Sequence, residues 1–213
     1  MRMRSMAAAA AIMLLNTLNI SAVDLADNLI ETRNGGVTID ASVPAVAQGF
    51  STTATGYIIN SISVKLKQDN AASPDGTLNF SIYSADGTGG TPNTLVSSIS
   101  TVATSALPTS SASVYSLNSL NVTLSPNTSY YLVLTSTSTL GNGAAWGYTN
   151  STNGTGFPSN QSIYSSSSWS APSTSFPQMM QISAVPEPST YALAVLSIGT
   201  LAFARKQRRK VNA

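Results

Sequence analysis

The chain contains neither cysteine nor histidine. Without cysteine it has no disulfide framework and no thiolate metal site. Without histidine it lacks the usual general base, the Ser-His-Asp relay and the ligand of most zinc centres. Those two absences argue against an enzyme, and no cofactor is expected. Charge is also scarce: 8% of the 213 residues are charged, against roughly 25% in an ordinary globular protein. A water-facing surface must therefore be built from Ser, Thr, Asn and Gly. The formal net charge of +2 conceals an uneven distribution, because most cations sit at the ends. Between residues 23 and 184 three cations (Arg33, Lys65, Lys67) face seven acids, a net charge of −4. That stretch has no clustered Lys and Arg with which to bind nucleic acid.

What is present is most specific at the two termini. The chain starts "MRMRSMAAAAAIMLLN", with Arg2 and Arg4 ahead of the apolar run Met6–Leu15 and small residues after it. A positive segment, an apolar segment and small residues in that order make a signal peptide. Its apolar residues are contiguous rather than three and four apart, unlike a surface helix of a domain. Residues 1–26 are assigned to it, as a signal helix cleaved after Ala22 or Ala26. At the other end, Tyr191–Ala204 is an apolar run of 14 residues, below the roughly 17–25 of a comfortable membrane span. Pro188 bounds this predicted helix and Ser189 can cap it. The cations behind it, Arg205, Lys206, Arg208, Arg209 and Lys210, can snorkel and hold that end in the cytoplasm. A short C-terminal transmembrane helix is the expectation.

The order Val185-Pro186-Glu187-Pro188-Ser189, apolar helix, basic tail resembles the PEP-CTERM sorting signal of Gram-negative bacteria, over residues 184–213. That resemblance implies a membrane-embedded exosortase as partner, recognising Pro186-Glu187-Pro188 and cutting near it. The helix would then be a transient address at the inner membrane. The final location would be the cell surface or the extracellular matrix. Two prolines suit a processing site, since they hold the chain extended and free of helix.

Residues 27–183 read as short strands. Ile62, Val64 and Leu66 alternate with polar neighbours, as do Leu78, Phe80 and Ile82, with Tyr83 on the other parity, and Leu120, Val122 and Leu124. Tyr130–Leu134 follows a turn at Ser125–Thr128, and Phe176, Met180 and Ile182 mark a last strand ahead of the sorting signal. "SPDG", "ADGTGGTPN" and "TLGNGAAWG" have loop composition, and the Ser-rich stretch after Tyr148 approaches low complexity. Gly35-Gly36 reads as a loop pair that opens no phosphate-holding helix. Together these features predict an all-β fold, an antiparallel β-sandwich of jelly-roll-like form. "GFSTTATGYIINSISVKLKQ", "LNFSIYSADGTGGTPNTLVSSIS" and "LSPNTSYYLVLTSTS" follow one another much as in the choice-of-anchor R type domain. The resemblance spans about residues 27–170. It implies surface display and brings no catalytic residues.

Few side chains suggest a site. Asp69, Asp75 and Asp86 lie in Asp-Gly-rich turns. They can be turn residues, a calcium cradle or a glycosidase pair. Trp146, Tyr148, Tyr164 and Trp169 can form a sugar-stacking platform, with Trp146 read as core and Trp169, inside a serine run, as more exposed. The reading that follows is a non-catalytic exported protein, associated with extracellular polysaccharide. Its rival is a carbohydrate-binding module using Trp169 and nearby tyrosines. A glycoside-active enzyme ranks third, because its acids fall in turns without an aromatic or basic setting.

Overall fold

In the computed structural model, residues 21–86, 90–151, 153–156, 161–165, 167–173 and 175–187 are described. Residues 1–20 of the assigned signal helix, the C-terminal apolar run, Pro188, Ser189, Arg205, Lys206, Arg208, Arg209 and Lys210 lie outside them, whereas residues 23–26, assigned to that helix, are strand. Among the described residues no helix is long and apolar enough to cross a membrane. Ala22–Val185 form one compact unit. The residues beyond it form a second, of which Ser21, Pro186 and Glu187 are described.

Two antiparallel sheets make up the first unit. Numbered in chain order, the first sheet runs β1 (Val23–Asp27), β13 (Met180–Pro186), β4 (Tyr57–Gln68), β10 (Ala144–Tyr148), β2 (Gly35–Ile39). The short strands β7 (Ser113–Leu117) and β8 (Val122–Leu124) also pair with β4. The second sheet runs β12 (Ser168–Trp169), β11 (Gln161–Ser165), β3 (Ala45–Ser51), β9 (Ser129–Ser136), β5 (Thr77–Ala85), β6 (Pro92–Ala103).

Period-2 patterning explains the core. Leu78, Phe80 and Ile82 of β5 and Leu132 and Leu134 of β9 point inward from the second sheet. They join one cluster with Ile62, Val64, Leu66, Trp146 and Ile182 of the first, each no more than 1% exposed. Burying each such chain contributes about 1.5–3 kcal/mol. β4 is longer than one alternation allows. Tyr57 and Ile59 are buried on one parity, Ile62, Val64 and Leu66 on the other. The switch falls at Asn60-Ser61, where the partner changes from β8 to β7.

Several local readings are corrected. Leu120 precedes β8, and Phe176 lies outside β13, 44% exposed and edge-on to Tyr148. "TLGNGAAWG" is loop as far as Gly143 and strand from Ala144. Gly35-Gly36 are not loop glycines: they pair with Tyr148 and Gly147 inside the first sheet. A Cβ on Gly35 would meet the far end of the Tyr148 side chain, so a larger residue there would have to displace that ring from its contact with Phe176. The Ser-rich stretch supplies the β11–β12 hairpin.

Candidate functional site

The outward parity of the second sheet is unusual for a solvated face. Ala45 and Ala47 of β3 and Tyr131 and Val133 of β9 point away from the main core, yet are no more than 5% exposed. Tyr83, Ala85, Tyr164 and Trp169 pack over them as a second apolar cluster. Register brings these together. Tyr164 pairs with Ala45 on one side and Trp169 on the other, and Tyr83 pairs with Tyr131. The Tyr164 and Trp169 rings meet edge to face, centroids 5.2 Å apart at 68°, a favourable aromatic arrangement. The Tyr131 hydroxyl donates to the Gly90 carbonyl at 2.8 Å, tying the strand to the turn before β6. Small floor residues between tall aromatic walls leave an open cleft of about 320 Å³. Ala45 and Val133 form its floor, Tyr83, Tyr164 and Trp169 its walls, and Asn93 part of its rim. No charged side chain lines it among the described residues.

Trp169 and Tyr164 thus share one site, joined by Tyr83 and Tyr131, which sequence reasoning did not select. Trp146 belongs elsewhere: it is fully buried in the core and donates its indole N–H to the Met179 carbonyl at 3.0 Å. Tyr148 stands on the first sheet against Phe176.

The three acids are engaged locally. Asp86 accepts from the Gly90 N–H at 2.7 Å and from Thr91. Asp75 accepts from the Thr139 N–H at 2.9 Å and from its hydroxyl. Asp69 accepts from the Thr38 hydroxyl at 3.0 Å. Asp69 and Asp75 do come close to one loop, their N–H groups donating to Gly143 and Asn142. Among the described residues no group of three or more metal-ligating side chains could hold an ion.

A fourth acid, unselected from sequence, anchors that loop more firmly. Asp40 is 3% exposed. Its carboxylate accepts from the Ser42 hydroxyl and N–H, from the Val43 N–H, and from the Gly141 N–H at 2.7 Å. Burial raises its pKa, but the hydrogen bonds from Ser42, Gly141 and Val43 outweigh it and hold the carboxyl below the ordinary value of 3.8. A depressed carboxyl stabilises the fold above its unfolded pKa, and that contribution fades as pH falls through the folded value. Asp40→Asn is therefore expected to lower Tm near neutrality. The gap to wild type should close below about pH 4, where the unfolded carboxyl protonates. A gap constant from pH 6 to pH 2 in thermal melts would refute that linkage.

At the sorting segment, the pairing of β13 with β1 ends at Ala184, opposite Val23. The strand runs on through Val185 to Pro186, so the first proline of the motif is a strand residue, and Glu187 follows. A proline fits there because a terminal strand position need not donate a ladder hydrogen bond.

Comparison with known proteins gives one family match: residues 184–210 fit the PEP-CTERM protein-sorting motif. The motif indicates sorting through the exosortase system towards the surface of a Gram-negative cell. No catalytic family is indicated, and no curated protein matches the chain. Among solved structures, that of infectious bursal disease virus, Gx strain, is similar at 13% identity and a TM-score of 0.26. It covers 78% of this chain and 38% of the viral one, a likeness too slight to carry fold or function across.

Proposed function

We propose that the chain is a non-catalytic, exported β-sandwich of jelly-roll-like winding. A signal peptide brings it to the inner membrane, a C-terminal helix holds it there briefly, and an exosortase cuts near Pro186-Glu187-Pro188. It then joins the cell surface or the polysaccharide-rich matrix. The observation that carries this reading is the motif match over residues 184–210. Further support comes from a chain without His or Cys whose candidate acids are engaged in turns. The test is membrane fractionation with intact mass in an exosortase-bearing host. Wild type and a variant with Pro186, Glu187 and Pro188 all changed to Ala are compared. Release of wild type alone upholds the reading.

The aromatic cleft favours a second reading, a carbohydrate-binding module. Neutral sugars present an apolar face to aromatic rings and hydroxyls to a polar rim, and need no charge. The uncharged cleft between Tyr83 and the Tyr164–Trp169 pair offers that chemistry, with the Asn93 amide as a hydrogen-bonding group. Trp169→Ala should weaken binding on a neutral-glycan array at least about tenfold, or 1.4 kcal/mol, while circular dichroism stays unchanged. Trp169→Phe, which keeps a ring, should retain part of the affinity. Saturable binding that ignores Trp169→Ala would remove this face from consideration.

A further inference from the structure

The leader offers two cleavage points, after Ala22 and after Ala26, and the fold treats them differently. Ser21 and Ala22 are exposed and precede the first strand. Val23–Ala26 are built into β1. Val23 pairs with Ala184, Asp24 with Ser183 and Ala26 with Ile182. Leu25 and Ala26 are buried, at 6% and 0% exposure. The other side of the strand is occupied as well. Asp27 and Thr155 exchange two backbone hydrogen bonds of 3.0 Å. Gly156, at φ +69°, lies so close that a Cβ would stand 1.7 Å from the Leu25 carbonyl oxygen. A non-glycine residue fits neither that backbone nor that space.

We infer that the leader is removed at the Ala22–Val23 bond, which makes Val23 the mature N-terminus. This deepens the export reading and rests on it. Leader-peptidase hydrolysis consumes one water, leaving a carboxylate on Ala22 and an ammonium on Val23. A cut after Ala26 would carry away three of the four register pairs of β1. The Ile182–Ala184 backbone would then form an unpaired edge, and the core would lose Leu25 and Ala26. Cutting after Ala22 removes only the exposed Ser21 and Ala22 from the described residues, and no strand residue. A consequence follows for the other end. Val23 faces Ala184, and the sorting motif opens at Val185, so the two processing points flank a single strand pair. The first and last described strands close on each other, which requires the whole body to have crossed the membrane.

The experiment is N-terminal sequencing and intact mass of the exported wild-type protein. A chain beginning at Val23 supports the inference, and one beginning at Asp27 or anywhere else overturns it. Because the sequence is free of cysteine, Asp24→Cys with Ser183→Cys, a register pair reached by solvent and clear of the cut bond, gives a second readout. The exported double variant should resist maleimide until reductant frees two thiols. One thiol, labelled with or without reductant, would mean that residue 24 left with the leader. Two freely labelled thiols would sink the pairing on which the inference depends. Failure of the sorting reading is separate, since it leaves residues 186–213 in the mass whatever the N-terminus.

Discussion

Trp146→Ala is expected to destabilise the body by about 3–5 kcal/mol, the range for deleting a buried aromatic ring. Trp146 is fully buried in β10, between Leu66 of β4 and Val37 of β2, and faces the main core. Two losses add. The cavity forfeits the packing of the largest fully buried side chain, and the Met179 carbonyl loses the indole N–H that reaches it at 3.0 Å. That second loss is the smaller, about 0.5–1.5 kcal/mol, because the carbonyl keeps the Lys65 N–H at 3.1 Å. Trp146→Phe separates the two, since a ring remains and the hydrogen bond goes; it should cost less than half as much. Phe176→Ala is the control, because Phe176 is 44% exposed and its loss should stay within about 1 kcal/mol. Urea titration followed by circular dichroism gives the order through midpoint shifts at constant slope. Domains are stable by about 5–15 kcal/mol, so the Trp146→Ala midpoint should fall steeply. Equal shifts for Trp146→Ala and Phe176→Ala would refute this packing.

How much of this was legible depended on which faces each strand buries. β5 and β9 announce themselves through alternating or apolar runs. β3 does not. Ala45 and Ala47 are buried outward while Val46 and Phe50 are buried inward, so "AVAQGFS" shows no period. The outward burial comes from β11 and β12, whose Ser-rich sequence reads as loop. β6 hides for the opposite reason, with Leu95 and Val96 exposed at 50% and 41% and Ser and Thr along much of its length. Buried amides leave no trace either. Gln48 accepts the Gln178 N–H at 2.7 Å, and Asn28 bridges Gln178 and Met180. In a chain so rich in neutral polar residues, nothing in composition separates such a side chain from a solvated one. The cleft was half legible. Trp169 and Tyr164 stood out as aromatics in a polar run, and the parity of β5 set Tyr83 opposite Phe80. Bringing them together required the strand order β12-β11-β3-β9-β5, which is a non-local fact.

Changing Pro186, Glu187 and Pro188 together to Ala is expected to abolish C-terminal processing while leaving the body folded. The folding half follows from register. The last pair of β13 with β1 is Ala184 with Val23, and the buried residues of that strand are Met180, Ile182 and Ala184. Pro186 lies past the last β13 residue paired with β1; proline donates no ladder hydrogen bond and alanine keeps its carbonyl, so the change removes no ladder bond and little packing. The processing half follows from backbone chemistry. Proline at 186 and 188 disfavours helix for the residues before each, keeping a protease-accessible extended segment. Three alanines, the strongest helix formers, would let the helix expected over Tyr191–Ala204 extend towards the body. The variant should therefore remain in the membrane fraction at a mass that includes the basic tail, with an unchanged melting temperature for its body. Deleting Arg205–Lys210 should act differently. The cut site survives, but the cations expected to hold the tail in the cytoplasm are gone, so uncut protein should leak through. Wild type would be released and shortened, and the tail deletion partly released at unshortened mass. A triple-Ala chain that is cut and released like wild type would overturn the recognition role of these three residues and leave a plain tail anchor in its place.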